Sequence, residues 1–182
     1  MDIQILDLIQ NYANPFFNQF FSVFTRLNDH GELWIVLLMI VGFKNKNKKL
    51  VYLGMIAIVL ELVLVSGVIK PLIHRPRPYM EFPFELLIKE PSGWSFPSGH
   101  AASSFAVAGV LFFKKVPMRW FYIVLAGLMG FSRLYLYVHY PSDVLVGSIL
   151  GLLIGYFVVK NQYRIINLTY KFLDKCHFTK LS

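Results

Sequence analysis

The longest apolar run in this chain extends from Leu50 to Ile69, and Glu61 is the one charged residue within it. Twenty residues of helix measure about 30 Å, which is the thickness of the hydrocarbon core of a bilayer. Hydrophobic residues make up 56% of the 182-residue sequence and charged residues only 15%, against about 25% charged residues in soluble domains. Because backbone polar groups in lipid must be satisfied internally, we predict a single-domain, all-α integral membrane protein over residues 1–182.

Shorter apolar segments set the predicted number of membrane passes. Residues 16–24 and 32–43 are shorter than the ~20 residues that a full span usually needs. Residues 1–12 combine apolar and acidic positions in a pattern that predicts a short amphipathic helix on the membrane surface, with a frayed terminus as the alternative. The six predicted passes are residues 16–24, 32–43, 50–69, 101–113, 120–130 and 144–159.

The distribution of lysine and arginine predicts the orientation of these passes. Residues 44–49 carry four of these cations, residues 114–119 three and the tail from residue 160 five, and all twelve fall on one side of the six-pass arrangement. The other side carries six. By the positive-inside rule the first side is cytoplasmic, which places both termini and Cys176 inside the cell. The orientation of the chain in the membrane therefore explains its net charge of +8, and no nucleic-acid partner is predicted.

Two motifs lie on the predicted outer side, between residues 70 and 100. Lys70 and Arg77 are seven positions apart, and three nearby prolines predict a stiff, extended turn in place of a regular helix. Such cations bind anions, or they anchor the chain at the interface; Arg75 is compatible with either role. Pro97-Ser98-Gly99-His100 then precedes an apolar segment. A serine there caps a helix, and a glycine-containing helix start is also a ready anion site.

A third motif runs from Ser132 to Asp143, between two apolar segments. His139 and Asp143 are four positions apart, so that one helical turn would bring the carboxylate to one ring nitrogen and leave the other free to attack. A metal site is the alternative. Lys70, Arg77 and Arg133 argue against it, because they would repel a divalent cation and can themselves neutralise phosphate oxygens. Glu61, inside the longest run, is either a structural group facing another helix or part of a substrate path.

The three motifs, Lys-x6-Arg-Pro, Pro-Ser-Gly-His and Ser-Arg-x5-His-x3-Asp, resemble the signatures of the type 2 phosphatidic acid phosphatase superfamily over residues 70–143. The resemblance implies that His139 is the nucleophile, that Asp143 orients it and that His100 protonates the leaving oxygen. It also implies that no metal or other cofactor is needed. Soluble haloperoxidases share the signatures and bind vanadate, but the apolar spans argue against that class. The phosphate-binding residues implied by the family are Lys70, Arg77, Ser98, Gly99 and Arg133.

These observations predict a membrane enzyme that hydrolyses a phosphate or diphosphate monoester of a lipid at the outer face of the cell membrane. Family analogy favours undecaprenyl diphosphate as the substrate, with phosphatidylglycerophosphate or phosphatidic acid as alternatives. The alternative function from a different class of protein is that of a non-catalytic lipid carrier, and such a protein would not require His100, His139 and Asp143. The apolar loop at residues 79–96 is predicted to lie on the outer leaflet and to admit lipid, or else simply to cap the helices.

Overall fold

The computed structural model describes residues 2–178, and this part of the chain is helical with no strand. The predicted all-α architecture is therefore confirmed. The predicted position of Cys176 concerns a side chain outside the described residues. The helices are α1 (Asp2–Gln10), α2 (Pro15–Arg26), α3 (Glu32–Lys44), α4 (Lys48–Glu61), a π-helix (Leu62–Ile69), α5 (Lys70–Ile73), α6 (Pro78–Glu81), α7 (Gly99–Phe113), α8 (Arg119–Tyr135), α9 (Pro141–Lys160) and α10 (Gln162–Phe178).

The longest apolar run forms one continuous helical path from α4 through the π-helix into α5. In the π-helix the Lys70 N–H donates to the carbonyl of Val65, five residues back. Pro71 has no N–H and crowds the preceding turn of a regular helix, and this wider turn accommodates it. The expectation of an extended turn at Lys70 is therefore wrong, because the helix ends only at His74, whose φ is 52°. The extended backbone begins further on and includes Arg77.

Large apolar side chains cover the outside of the helices, as expected in lipid. On α9, Leu145, Ile149 and Leu153 recur at intervals of four and are 61%, 48% and 56% exposed. Among the described residues, two stretches are long and apolar enough to cross a membrane by themselves: Lys48–Glu81, whose helix is interrupted at residues 74–77, and Pro141–Lys160. A soluble protein would not expose so many large apolar groups in continuous patches, and the chain is accordingly assigned to the membrane.

Helices α7 and α9 approach each other closely along a row of glycines on α9. A Cβ atom on Gly151 would lie 2.3 Å from the carbonyl oxygen of Ala102, and one on Gly147 would lie 2.6 Å from that of Ser98. Small residues at intervals of four permit such backbone contact between membrane helices. The contact brings the second motif against the third, and the Ser98 N–H donates to the Asp143 carbonyl over 3.1 Å.

Helix α1 packs across the short segment that joins α8 to α9. Leu6 is fully buried against Tyr137 and Tyr140. Asp7 accepts a hydrogen bond from the Tyr137 hydroxyl at 2.8 Å, and the Gln10 side chain donates to the Tyr135 carbonyl at 2.6 Å. The N-terminal segment is therefore a packed helix and not a frayed terminus, and it supports the segment that carries His139.

Candidate active site

The three motifs converge on one cavity of about 820 Å³. Its walls come from the α2–α3 turn, the α4–π-helix junction, residues 88–92, the start of α7 and the α8–α9 segment. Asp143 and Ser98 are fully buried behind this wall. Six of the eight predicted site residues line the cavity, namely Lys70, Arg77, Gly99, His100, Arg133 and His139.

His139 lies in the five-residue segment between α8 and α9 and is only 2% exposed. The third motif is helical at both of its ends, since α8 continues through Arg133 to Tyr135 and α9 begins at Pro141. Nε2 of His139 faces the cations and lies 3.2 Å from Nη1 of Arg77. Its Nδ1 points to the opposite side, so the two ring nitrogens have different environments.

A serine that the motifs do not include lies between His139 and Asp143. The distance from His139 Nδ1 to Asp143 Oδ2 is 3.7 Å, which is too long for a hydrogen bond. Ser95 Oγ lies 3.4 Å from that nitrogen and donates to Asp143 Oδ2 over 2.5 Å. The predicted direct contact is therefore replaced by a chain from the imidazole through the hydroxyl to the carboxylate. No local sequence signal marks Ser95, since it belongs to an irregular loop.

Asp143 is held from several directions at once. It accepts hydrogen bonds from the Tyr140 N–H at 2.9 Å and from Nη1 of Arg75 at 2.6 Å, besides the one from Ser95. Arg75 also stacks on the Tyr140 ring and contacts Asp2 at 3.1 Å. Neither role left open for Arg75 describes this geometry: its guanidinium fixes the carboxylate from behind the cavity wall. Charge-assisted contacts of this kind are short and hold a carboxylate in one orientation.

The surroundings of His139 favour a neutral ring. Burial lowers its pKa well below the ordinary value, and the positive charges of Arg77, Arg133 and Lys70 lower it further. A neutral imidazole with its proton on Nδ1, toward Ser95, carries its lone pair on Nε2, which lies 3.2 Å from the Arg77 Nη1 donor. That lone pair points among cations, where an anionic phosphate group would be attracted. The arrangement suits nucleophilic attack on phosphorus.

The two motif arginines are fixed by carbonyls and a hydroxyl from elsewhere in the chain. Arg77 donates to the carbonyls of Ser92 (3.0 Å), Gly93 (2.9 Å) and Val138 (3.0 Å). Arg133, 2% exposed, donates to the Thr25 hydroxyl of α2. These bonds hold the guanidinium groups before any ligand arrives, which is the condition for effective charge stabilisation. Among the side chains that the structure describes, no group of three or more His, Cys, Asp or Glu is arranged to hold a metal.

At the start of α7, backbone N–H groups lie near the side chain of Lys70. Ser98 caps the helix, and its hydroxyl accepts from the Ala101 N–H at 3.5 Å. A Cβ atom on Gly99 would lie 3.6 Å from Ser66 Oγ and 3.9 Å from Lys70 Nζ. The first N–H groups of a helix have no intrahelical acceptor, so those of this turn are available to an anion beside Lys70. A phosphate contact by Ser98 itself stays a prediction.

Two carboxylates that the motifs do not contain also face the cavity. Asp29, in the α2–α3 turn, lies 3.3 Å from Nε2 of His100. Glu61 is 3% exposed and lines the cavity at the α4–π-helix junction, where its Oε1 has no hydrogen-bond partner among the described residues. Its position favours the role near the substrate path over a hydrogen-bonded structural role.

The loop at residues 79–96 is only partly a surface for lipid. Phe84 stacks on Tyr137 with ring centroids 4.3 Å apart, and Leu86 packs against the cluster around Phe21. Capping of the helices thus explains these two side chains. Leu87 is 38% exposed, so the predicted role in lipid access now depends on that position and its exposed neighbours.

The chain resembles known proteins in sequence and in fold. The family model described as the PAP2 superfamily matches residues 48–166. A lipid A 4'-phosphatase of Bacteroides thetaiotaomicron is 31% identical over 83% of this chain and 72% of its own length. An undecaprenyl-diphosphatase of Bacillus subtilis is 27% identical over 68% of this chain and 63% of its own. The crystal structure of a phosphatidylglycerolphosphate phosphatase from Bacillus subtilis superposes with a TM-score of 0.70 and 28% identity, covering 90% of this chain and 85% of that one. The chain therefore belongs to the PAP2 superfamily and is a membrane phosphohydrolase.

Proposed function

We propose that this chain hydrolyses a phosphate or diphosphate monoester of a membrane lipid through a phosphohistidine formed on His139. One observation carries the proposal: Nε2 of His139 faces the cavity beside Arg77, while its Nδ1 faces Ser95 and Asp143. The imidazole is thereby fixed with its lone pair toward the anion site. The apolar exterior supports a lipid as the substrate.

In the first step the Nε2 lone pair attacks phosphorus and the bond to the leaving oxygen breaks, while His100 gives that oxygen a proton. Lys70, Arg77 and Arg133 neutralise the three phosphoryl oxygens, which is the task of metal ions in other phosphoryl-transfer enzymes. In the second step water attacks the phosphohistidine and gives a proton to His100. Inorganic phosphate leaves, and both histidines return to their starting states.

Undecaprenyl diphosphate is the substrate that we propose first, with phosphatidylglycerophosphate and phosphatidic acid as further members of the class. A second candidate is the phosphate of a lipid A-type glycolipid, because the lipid A 4'-phosphatase relative aligns with more of this chain than the undecaprenyl-diphosphatase does. Inorganic phosphate release from purified samples of these lipids, in detergent micelles, tests the choice. The lipid hydrolysed fastest is the expected substrate. Release from none of them by the folded protein would contradict the enzymatic proposal and favour a lipid carrier.

We also propose six membrane passes, formed by α2, α3, the α4–α5 path, α7, α8 and α9, with cytoplasmic termini and the cavity on the extracytoplasmic face. The lysine and arginine distribution supports this orientation. A cysteine placed at Pro91, in a Cys176→Ser background, is expected to react with a membrane-impermeant thiol reagent in intact cells. Native Cys176 is expected to react only after lysis. The reverse pattern would invert the proposed topology.

A further inference from the structure

The α2–α3 turn is tied to the start of α7 by several side chains. Asn28 Nδ2 lies 3.4 Å from the hydroxyls of both Ser103 and Ser104, and the Trp34 ring N–H donates to Ser104 at 2.7 Å. Asp29 follows directly, lines the cavity and accepts from Nε2–H of His100 over 3.3 Å. The turn therefore presents a carboxylate to His100 from a position fixed by neighbouring bonds.

We propose that Asp29 is a positioning residue for His100: it binds Nε2–H and stabilises the protonated ring that donates the leaving-group proton. This inference rests on the phosphohistidine reaction proposed above. The hydrogen bond with His100 is also the main cause that lowers the pKa of Asp29. The acid is therefore ionised and acts only as an acceptor.

The charges in the cavity explain why His100 needs such a partner. Arg133 and Lys70 face His100, and both oppose a further positive charge on its ring. Arg133 and His30 face Asp29 in turn. Asp143 lies behind His139, and Glu61 lies near Lys70. Among the described residues, Asp29 is the carboxylate in hydrogen-bond contact with His100, so it is the group that offsets the cations.

The hydrogen bond also selects which proton moves. Because Asp29 holds the proton on Nε2, the proton on Nδ1 is the one given to the leaving oxygen when the phosphorus–oxygen bond breaks. The hydrolytic water later restores a proton to Nδ1. Asp29 neither gains nor loses a proton in either step. Its contribution is greatest for a leaving group that is a strong base, because such a group depends most on proton donation.

The experiment uses Asp29→Asn in the full-length protein with two soluble substrates, phenyl phosphate and p-nitrophenyl phosphate. Charge-assisted hydrogen bonds have magnitudes that correspond to about a 10-fold to 100-fold effect, and we expect a kcat loss of that size on phenyl phosphate. The p-nitrophenolate is a stable anion, and the loss on its ester is expected to be several times smaller. The pH above which activity on phenyl phosphate falls is expected to move to lower pH, because the protonated ring is no longer stabilised.

Glu32→Gln is the matched control, since Glu32 lies in the same part of the chain and its carboxylate contacts His30 rather than His100. It is expected to behave as the wild type. Asp29→Glu, which keeps the charge, is expected to recover part of the phenyl phosphate activity, and it also decides the question if Asp29→Asn does not fold.

Equal losses on both substrates with an unchanged pH profile would overturn the inference and assign Asp29 a merely structural role. Wild-type behaviour of Asp29→Asn would overturn it as well. Both results leave the proposed reaction intact if the wild type still traps phosphohistidine from p-nitrophenyl phosphate. Absence of phosphohistidine in the wild type would instead contradict the reaction itself.

Discussion

Replacing Ser95 with alanine removes the hydroxyl that lies between Asp143 and the ring of His139. The wild-type hydroxyl donates to Asp143 Oδ2 over 2.5 Å and lies 3.4 Å from His139 Nδ1. Without it, the nearest carboxylate oxygen is 3.7 Å from that nitrogen, and the imidazole loses the group that fixes its tautomer.

The expected loss follows from the kind of bond that is removed. A hydrogen bond to a charged group contributes about 1.5–3 kcal/mol, and each 1.36 kcal/mol in an activation barrier is about tenfold in rate. We therefore expect Ser95→Ala to lower kcat about 10-fold to 100-fold. KM is expected to change little, because the predicted phosphate-binding cations, Lys70, Arg77 and Arg133, are unaltered.

Steady-state hydrolysis of p-nitrophenyl phosphate in detergent measures both constants. Ser148→Ala is the control, since among the described residues the Ser148 hydroxyl bonds only to the Val144 carbonyl of its own helix, at 2.8 Å. A wild-type kcat in Ser95→Ala would show that Asp143 orients His139 without the hydroxyl. A rise in KM at unchanged kcat would refute the reasoning by placing Ser95 in substrate binding.

Three further predictions concern the histidines, the helix contact and the apolar loop. His139→Ala is expected to abolish hydrolysis of both lipid and aryl phosphates and to trap no phosphohistidine, whereas His100→Ala should retain appreciably more aryl than lipid activity; the opposite pattern would reverse their roles. Gly151→Ala is expected to cost about 1–3 kcal/mol of stability by overpacking, because its Cβ would meet the Ala102 carbonyl at 2.3 Å. Gly127→Ala, whose Cβ would have no described atom within 4 Å, should not lower the Tm in detergent, and equal Tm values for the two variants would count against the close contact. Leu87→Ser is expected to slow lipid hydrolysis more than p-nitrophenyl phosphate hydrolysis, and equal effects on both would leave the loop as a cap.

The sequence determined which chemical groups the site would contain. Lys70, Arg77 and Arg133 occupy motif spacings that bind an anion, and His100 and His139 are the ionisable groups next to them. The apolar runs determined the all-α membrane architecture, because lipid leaves helices as the main way to satisfy the backbone. These features depend only on local sequence or on composition, so they can be recognised without a structure.

The tertiary structure decided how those groups are supported. Asp29 and His100 are 71 positions apart in the chain, and Ser95 and His139 are 44 apart. No local periodicity links such pairs, since their contact depends on how α2, α7 and the loop before α7 pack together. The same holds for Arg75: its sequence position is compatible with two roles, and the tertiary structure places its guanidinium against Asp143. Side chains far apart in sequence meet because the helices that carry them are packed by apolar and glycine contacts, and those contacts are a property of the whole fold.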